Sequence, residues 1–591
     1  MGPSGQLCGG TVAKSKVEEI KEQSRQLRGT IAETLAGEAT HFSEEDYQLL
    51  KFHGSYQQDD RDLRADRKRQ GLDKAWMMMV RCKSPGGDMT AEQWLAHDRI
   101  ADELANGTLR LTSRQGVQFH GVLKGNLKEV IARINRSGLT TLGACGDVVR
   151  NTMAPATPLK TPAHIACQLL AREISREFLP KTTAYPEIWL DGEKLNFEPG
   201  REVEEPVYGK HYLPRKFKIG MAVPPRNDCD IYTQDVGLVC HATADAVEGF
   251  TVLVGGGFGM SHGQALTYPV LARPLFFVKP EHVIEAVLAI IAAQRDHGNR
   301  EDRKQARLKY VIEKHGIDWF RKEVLARMKA PTAPAREVRF DTVGDMLGWH
   351  EQGDGRLFCG VHVEHGRVKD GEVARYRSAF RAIAQKIGCP LRITPNSRIL
   401  FYDIDPSRRA EVDAILAGHG VPLPSGMTEA RKTSHACVSL PTCGLGLAES
   451  ERVFGSVMDK IDAVLRDLKL DGEPLLIRMT GCPNGCSRPY NADLSFVGRA
   501  PGKYAFYAGG SHRGDRLAGL EKKVVTEEEI PSVVRGYLEE FVRGRKAGES
   551  FTDFWGRTRG SGAAPHPSQF HEEFAERAAK GPGKGCSGAE G

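Results

Sequence analysis

The sequence has no long apolar run. Nowhere in its 591 residues do about 18 consecutive apolar residues occur, the length that a membrane-spanning helix needs. Residues 1–7 also lack the apolar core of a secretory signal. From these two absences we expect a soluble, cytoplasmic protein that does not act at a membrane.

A strong excess of one charge is absent as well. The net charge is +6 and the isoelectric point is about 8.6, far from the extreme of a nucleic-acid packaging protein. Charge alone therefore favours an ordinary solvated surface over attraction to an anionic partner. The composition, 40% hydrophobic and 27% charged, is that of a globular protein. The length predicts about three to five domains.

The cysteines give no sign of a disulfide framework. Their number, 13, is odd, and without a secretory signal paired extracellular thiols are not expected. Four of them lie in two close pairs. The other nine are scattered and are interpreted as small buried hydrophobic residues or surface thiols: Cys8, Cys82, Cys145, Cys167, Cys229, Cys240, Cys359, Cys389 and Cys586.

The two ends of the chain are polar. Residues 1–70 are predicted to form an extended N-terminal arm with a helix over residues 15–28. Within this arm, residues 51–61 are too polar for a core strand and are expected to lie on other domains. Residues 561–591 are rich in Gly, Ala and Pro and are predicted to be a disordered tail, apart from a short helix around residues 572–579.

An internal repeat organises the rest of the chain. Residues 107–121 and 390–401 share the pattern Leu-Arg-aliphatic-Thr, and an aromatic residue closes each strand-like run. Each follows an apolar strand candidate, residues 76–82 and 357–363, with a glycine turn between. The pattern predicts an α/β half-domain that occurs twice.

A larger α/β unit is expected after each half-domain. In the second unit, residues 447–468 have apolar side chains at the spacing of one helical face, and residues 475–480 are a buried-strand candidate. The first unit has a corresponding helix near residues 163–178 and a strand that includes residues 215–219. The predicted half-domains are residues 71–150 and 336–425, and the larger units are residues 151–335 and 426–560.

The two cysteine pairs have the spacings Cys437-x5-Cys443 and Cys482-x3-Cys486, in loops that contain Pro and Gly. Such loops let thiolates converge while backbone N–H groups point at sulfur, as an iron–sulfur cluster requires. A structural zinc site is an alternative, although a five-residue gap with an internal proline, Pro441, fits zinc poorly. Four buried cysteines without metal are a further alternative, and spacing alone leaves all three open.

Several basic residues lie in strand-like contexts where a core would not place them. Charges on otherwise apolar strands are costly unless an anion pairs with them. Any one of these residues alone is more often solvated, but together they suggest a strongly anionic ligand. They are Arg81, Arg110, Arg114, Arg150, Lys216 and Lys218.

The cysteine segments carry a family resemblance. Residues 433–443, TSHACVSLPTC, and residues 480–486, TGCPNGC, resemble the siroheme and [4Fe-4S] signature of assimilatory sulfite and nitrite reductases. The resemblance covers nearly all of residues 15–558. It implies an α+β fold of three domains with a pseudo-twofold repeat, built from two ferredoxin-like half-domains and two larger α/β units.

The same resemblance implies the cofactors and the site. Siroheme and a [4Fe-4S] cluster are the expected cofactors, with Cys437, Cys443, Cys482 and Cys486 as cluster ligands and the Cys486 thiolate shared with the siroheme iron. The implied siroheme-binding residues are Arg110, Thr112, Arg114, Gln118, His120, Asn484 and Cys486. The implied substrate-binding and catalytic cations on the open side of the iron are Arg81, Arg150, Lys216 and Lys218.

The resemblance also indicates the reaction, the six-electron reduction of sulfite to sulfide in assimilatory sulfur metabolism. Similar nitrite reductases tend to carry Asn where Lys218 stands here, so sulfite is favoured over nitrite as the substrate. The positive side chains stabilise charge and relay protons as S–O bonds break. Ferredoxin-dependent nitrite reduction remains an alternative.

The electron donor must be another protein, because no flavin or NADPH domain is apparent. The glycine-rich residues 254–259 lack a complete dinucleotide motif and are interpreted as a turn that passes near the haem. Residues 15–22, 142–147 and 347–355 look closer to the ferredoxin-dependent type. The mild basicity also suits an acidic ferredoxin. Ferredoxin is therefore the expected donor, and the alternative is the flavoprotein subunit of an NADPH-dependent sulfite reductase.

Two alternatives come from other classes of protein. A zinc-stabilised protein could bind nucleic acid through its basic surface, although nucleic acid is not the expected partner. A dissimilatory sulfite reductase subunit would usually contain additional ferredoxin-type cysteines, and no such cluster is present in the sequence.

Overall fold

The structure is a computed structural model. It describes residues 14–182, 205–560 and Phe570, together with the backbone of Ile188–Leu190 and Glu193–Leu195. The predictions for residues 561–591, including the helix around residues 572–579, therefore lie outside the described residues except at Phe570. No helix in the described part of the chain is long and apolar enough to cross a membrane.

The N-terminal arm is more regular than its polarity predicts. The predicted helix is shorter than expected, and residues 51–61 contain a strand, β1, that pairs antiparallel with β2 of the first half-domain. The prediction that this segment is not a core strand and lies on another domain agrees with an edge strand, although the sequence did not predict the pairing itself. β1 is an edge strand, so its middle residues need not be buried. The elements are α1 (Lys16–Glu22), α2 (Ile31–Ala36), α3 (Glu44–Leu50), β1 (Ser55–Asp59) and α4 (Arg64–Arg69).

The two half-domains repeat the same sheet and helices, as the internal repeat predicts. The first sheet has the order β1-β2-β5-β4-β14 and the second β12-β13-β16-β15-β3. The first half-domain contains β2 (Trp76–Arg81), β3 (Asp88–Met89), α5 (Ala91–Leu104), β4 (Leu109–Leu111), β5 (Val117–Val122) and α6 (Leu127–Arg136). The second contains β12 (Gly348–Glu351), β13 (Leu357–Val361), β14 (Arg367–Val368), α11 (Tyr376–Lys386), β15 (Leu391–Ile393), β16 (Ile399–Ile404) and α12 (Arg409–Gly418).

The half-domains exchange their shortest strands. β3 of the first half-domain pairs with β15 of the second, and β14 of the second pairs with β4 of the first. Each sheet is therefore completed by a strand from the other copy. A single hydrophobic core runs through the arm, both half-domains and the first larger unit.

The two larger units also correspond to each other. The first has the sheet order β11-β10-β9-β8 and the second β17-β18-β19-β20-β21. The first contains α7 (Pro162–Glu177), β6 (Ile188–Leu190), β7 (Glu193–Leu195), β8 (Ile219–Ala222), β9 (Val236–Ala242), β10 (Val247–Val254), β11 (Arg273–Val278), α8 (Val283–His297), α9 (Leu308–His315) and α10 (Ile317–Leu325). The second contains α13 (Glu429–Thr433), β17 (His435–Ala436), α14 (Glu451–Asp467), β18 (Ile477–Thr480), β19 (Leu494–Ala500), β20 (Lys503–Ala508), β21 (Gly519–Thr526), α15 (Ile530–Gly544) and α16 (Phe551–Arg559).

Strand register relates the two units residue by residue. β8 runs parallel to β9 with Ile219 opposite Val236, and β18 runs parallel to β19 with Ile477 opposite Leu494. The same number of residues separates the two strands in each unit. The loops that follow β8 and β18 therefore occupy corresponding positions. The second carries Cys482 and Cys486, whereas the first carries a single cysteine, Cys229, at a different position.

Candidate functional site

The four clustered cysteines lie beyond the carboxyl ends of two neighbouring parallel strands. β17 pairs in parallel with β18. Cys437 directly follows β17 and Cys482 follows β18, so both residues come to the same edge of the sheet. Cys443 and Cys486 follow in the loops that leave this edge. In the first larger unit, Pro224 and Asp228 stand at the positions that correspond to Cys482 and Cys486.

Hydrogen-bond donors point at the sulfur atoms. The Gly481 N–H donates to Cys437 Sγ at 3.3 Å, and the Thr480 hydroxyl lies 3.4 Å from the same sulfur. The Asn484 side-chain amide donates to Cys482 Sγ at 3.5 Å. A side chain at Gly481 would place its Cβ 1.8 Å from the Ser439 hydroxyl oxygen, which explains the glycine. Donors of this kind offset the negative charge of an iron–sulfur cluster.

The four thiols form one electrostatic group centred on Cys486. Burial and the neighbouring Cys486 raise the pKa of Cys443 to about 11. Burial and Cys486 likewise raise the pKa values of Cys437 and Cys482. Thiols held so close become thiolates only when a metal centre compensates their charge. The donor set therefore fits a metal cluster.

Among the described residues, no group of three or more His, Cys, Asp or Glu side chains is arranged to hold one metal ion. A four-iron cube spaces its cysteine sulfurs farther apart than a tetrahedral zinc ion does. The zinc alternative thus has no support in the part of the chain that the structure describes.

Arg81 and Arg150 approach the site without a carboxylate partner in the described ranges. Arg81 Nη1 donates to Cys145 Sγ at 2.9 Å. In the amide orientation that satisfies both side chains, the Gln118 oxygen accepts from Arg81 Nε at 2.9 Å. Arg150 donates to two backbone carbonyls, Gly146 O at 2.8 Å and Ala144 O at 3.4 Å. Both guanidinium charges therefore remain available to an external anion.

Lys216 and Lys218 precede β8 and flank Phe217, which is buried in the core. Neither ammonium has a hydrogen-bond or ion-pair partner within the described residues. Burial and the nearby Arg307 lower the pKa of Lys218 to about 7, while Asp235 and Cys486 act in the opposite direction. Burial, Arg215 and Lys218 lower the pKa of Lys216 strongly. An anion bound between the two lysines would raise both pKa values.

The cations and the thiols meet at Cys486. Burial works against the charge of Arg81, but Cys145, Tyr56 and Cys486 together raise its pKa. Cys486 also acts to raise the pKa of Lys218. The structure thus brings the exposed cysteine close to both the cluster thiols and two of the four predicted substrate cations.

The residues predicted to bind siroheme differ in how many of their polar atoms form hydrogen bonds within the protein. Arg114 donates only to neutral groups, among them Asn151 O at 2.7 Å and Gln234 Oε1 at 2.8 Å. Both ring nitrogens of His120 are buried without a hydrogen-bond partner in the described ranges, and burial lowers its pKa to about 3. The Thr112 hydroxyl accepts from the Gly116 N–H at 3.1 Å and shapes the turn between β4 and β5. Of these three residues, only His120 has polar atoms left without a partner in the described ranges, and the role of all three toward siroheme stays a prediction.

Arg110 stands apart from this group. Its Nε donates to Glu451 Oε2 at 2.8 Å and its Nη2 to Ala436 O at 2.9 Å, and Nη1 donates to Leu111 O. Arg367 Nε donates to the other Glu451 oxygen at 2.6 Å. Arg110 therefore anchors the strand that leads to Cys437, and its role toward siroheme stays a prediction.

Glu451→Gln should destabilise the chain. Burial alone would raise the pKa of Glu451, but Arg367 and Arg110 outweigh it and lower the pKa to about 2 from 4.5. Breaking one partner of such a buried group should lower the free energy of unfolding by about 3–5 kcal/mol at pH 7. A carboxyl with a lowered pKa contributes stability that is full above pH 4.5 and is lost as the pH falls toward 2.

Chemical denaturation as a function of pH measures this effect. The difference between wild type and variant should shrink as the pH falls below 4.5. The exposed Glu372→Gln is the matched control and should change little at any pH. A constant difference between pH 7 and pH 3 would contradict the assignment of the stability to this ion group.

Sequence reasoning missed several residues near the site. Lys83 is two residues from Arg81 on the same face, its ammonium is buried without a partner in the described ranges, and burial lowers its pKa to about 7. The alternation of Arg81 and Lys83 was the available signal. Arg307 and Lys309 lie against the glycine-rich residues 254–259, with Lys309 Nζ donating to Gly257 O at 3.1 Å. That segment makes room for basic side chains, which the turn interpretation did not foresee.

Comparison with known families gives matches over much of the chain. The model described as nitrite/sulfite reductase ferredoxin-like half domain matches residues 71–137 and 350–419. The model described as nitrite and sulphite reductase 4Fe-4S domain matches residues 171–332. The two half-domain matches confirm the predicted duplication. The 4Fe-4S match falls on the first larger unit, which lacks the two close cysteine pairs.

Individual relatives match almost end to end. The sulfite reductase [NADPH] hemoprotein beta-component of Staphylococcus saprophyticus is 46% identical over 91% of this chain and 95% of the relative. The protein of the same description from a Paenibacillus species is 42% identical over 94% of this chain and 98% of the relative. The solved structure of the Mycobacterium tuberculosis NirA protein, at 23% identity, superposes with a TM-score of 0.75 over 92% of this chain and 97% of that chain. This last match supports the fold alone.

Proposed function

The chain belongs to the nitrite and sulfite reductase family, and on that premise we propose that it reduces sulfite to sulfide. The cofactors are a [4Fe-4S] cluster and siroheme. One observation carries the proposal: the cations of Arg81, Arg150, Lys216 and Lys218 have no carboxylate partner among the described residues, and two of them, Arg81 and Lys218, lie near Cys486. Such an arrangement binds a small, highly charged anion.

The cofactors have distinct sets of candidate residues. Cys437, Cys443, Cys482 and Cys486 would hold the cluster, and Cys486 would also contact the siroheme iron. When bound, the two groups supply the electrons and the metal centre at which sulfite is reduced. The residues proposed to hold the siroheme, besides Cys486, are Arg110, Thr112, Arg114, Gln118, His120 and Asn484.

The chain's own contribution to the reaction is charge and protons. Arg81 and Arg150 would bind sulfite oxygens through guanidinium N–H groups. Lys218, with a pKa lowered to about 7, is suited to give a proton near neutral pH as an S–O bond breaks. Lys216, two residues away, would stabilise the remaining negative charge.

Sulfite is favoured over nitrite for two reasons. Sulfite has three oxygens and carries up to two negative charges, so four cations match it better than they match nitrite, which has two oxygens and one charge. The matching relatives are also described as sulfite reductases. Sulfite is therefore the proposed physiological substrate.

The proposed electron donor is the flavoprotein partner of an NADPH-dependent system. The sequence favoured ferredoxin, but the relatives at 42–46% identity are described as NADPH-dependent hemoprotein beta-components. Mild basicity does not distinguish the donors, since flavin domains and ferredoxins can both be acidic. A cytoplasmic location remains a prediction.

A direct comparison of donors tests the proposal. Purified holoenzyme should produce sulfide from sulfite when an NADPH flavoprotein reductase is supplied, and more slowly with reduced ferredoxin. Reduced methyl viologen serves as the control for an active site that accepts electrons without a specific partner. Faster sulfide production with ferredoxin would overturn the donor, and no sulfide with any of the three reductants would overturn the reaction.

A further inference from the structure

Asp235 lies beside Lys218 but does not pair with its ammonium. Asp235 Oδ2 accepts the backbone N–H of Lys218 at 2.9 Å. Arg307 Nε and Nη2 donate to Oδ1 at 3.0 and 2.9 Å, and Nη2 also donates to Oδ2 at 2.8 Å. Asp235 is fully buried and Arg307 is 6% exposed. Both carboxylate oxygens of Asp235 therefore accept hydrogen bonds from other groups. The Asp235 carboxylate does not pair with the Lys218 ammonium.

We propose that Arg307 and Asp235 are positioning residues for Lys218. Asp235 holds the backbone of Lys218 in place, and Arg307 holds Asp235 so that the lysine ammonium stays free for the substrate anion. This inference rests on the proposed sulfite reduction and adds two residues to it. Neither Arg307 nor Asp235 needs to touch the substrate.

The second larger unit provides an internal comparison. Its Asp493 corresponds to Asp235, and Asp493 Oδ2 accepts the backbone N–H of Leu476 at 2.9 Å, as Asp235 does for Lys218. The other oxygen of Asp493 accepts from the Thr552 hydroxyl at 2.5 Å. The aspartate–backbone bond thus belongs to the fold of both units. Among the described residues, an arginine donates to this aspartate only in the unit where the fixed residue is a lysine.

The glycine-rich residues 254–259 fit the same arrangement. A Cβ at Gly257 would lie 2.9 Å from Arg307 Nη2, and a Cβ at Gly256 would lie 2.3 Å from Tyr232 O. Arg307 Nη2 also donates to Gly256 O at 3.4 Å. The glycines let the backbone pass close enough to enclose Arg307. The glycine content of this segment, which resembles that of a dinucleotide-binding loop, is therefore explained by the close approach to Arg307.

Six charged or titratable groups face Lys218. Four of them are basic: Arg307, Arg114, Lys216 and Lys309. The other two, Asp235 and Cys486, raise the pKa of Lys218. Removing Arg307 would release the Asp235 carboxylate to pair with the Lys218 ammonium. The lysine would then bind its proton more tightly and would be drawn away from the substrate.

Arg307→Gln tests the proposal in the holoenzyme. The KM for sulfite should rise about tenfold, since a charge-assisted contact is lost. Lys218 must be protonated to act, so kcat/KM falls as the pH rises through its pKa. In the variant this alkaline limb should move up by about one pH unit or more, because Asp235 now stabilises the protonated lysine. An unshifted limb with an unchanged KM would overturn the proposal.

Two further variants keep the test decisive if Arg307→Gln folds poorly. Arg307→Lys retains the charge and should give a smaller shift in the alkaline limb. Arg307→Gln combined with Asp235→Asn removes both charges, and its KM should return toward the wild-type value. A double variant that is no better than Arg307→Gln would show that Asp235 does not capture Lys218, and would overturn the proposal.

A chemical readout separates this inference from the proposed reaction. Acetylation of Lys218 by acetic anhydride, followed by mass spectrometry across pH, reports the proton affinity of the amine without turnover. Its midpoint should move up in Arg307→Gln and stay in place in the matched control Asp493→Asn. An equal shift in both variants would indicate a general structural effect and overturn the inference. A shift in Arg307→Gln alone, in an enzyme that makes no sulfide, would leave the inference standing and overturn the reaction.

Discussion

Replacing Cys486 by serine is expected to lower sulfide production by at least about 100-fold, because metal-site disruption acts directly on affinity and activity. Cys486 is the exposed member of the thiol group, and it is close to the thiols and to two substrate cations. A serine hydroxyl at this position is a poor ligand for iron at neutral pH. The chain would then lack the side chain proposed to hold the cluster and to contact the siroheme iron.

Iron and sulfide content, haem absorption and electron paramagnetic resonance spectra measure this loss separately from turnover. The control is Cys389→Ser, since Cys389 is a free cysteine of the second half-domain that lies outside the thiol group. That variant should keep its cofactor spectra and its turnover. Normal turnover with unchanged spectra in Cys486→Ser would refute the shared-ligand assignment.

Lys218→Asn is expected to lower kcat/KM for sulfite by about 100-fold but for nitrite by less than about tenfold, because a charge-assisted hydrogen bond matters more to the more highly charged anion. The ammonium of Lys218 has no partner of its own in the described ranges, so its loss leaves no buried carboxylate unpaired. The chain should therefore fold normally. The ratio of sulfite to nitrite turnover is the quantity to measure.

The exposed Lys304→Asn serves as a control for a general change of surface charge. Lys304 lies on the same unit, and its replacement should leave the ratio unchanged. Equal losses on sulfite and nitrite in Lys218→Asn would count against the idea that this lysine selects the substrate. A larger loss of turnover on nitrite than on sulfite would show that Lys218 favours nitrite instead.

The sequence predicted those parts of the fold that depend on local pattern. The apolar spacing of Phe454, Val457 and Met458 predicted the buried face of α14, and the repeat predicted the two half-domains. The edge strand β1 escaped prediction because an edge strand needs little burial, so its sequence, SYQQD, has no strand signal. Apolar spacing is informative only where an element buries at least one face in a core.

The candidate site was predicted in its charged and sulfur-containing residues but not in the contacts between them. The pairing of Arg110 with Glu451 joins residues 341 positions apart, and that of Arg307 with Asp235 joins residues 72 apart. No local pattern encodes such pairs. The sequence could show that cations gather near the thiols, but it could not show which of them a carboxylate already holds.

The exchange of β3 and β14 between the half-domains has a consequence for synthesis on the ribosome. The first sheet is complete only when β14, Arg367–Val368, has been made, long after its neighbour β4, Leu109–Leu111. At about 5–20 residues per second, the nascent chain waits on the order of tens of seconds with the edge of β4 unpaired. The second sheet meets no such delay, because β3 precedes it. A chaperone that covers the open edge of β4 in the nascent chain would therefore act before either cofactor can be inserted.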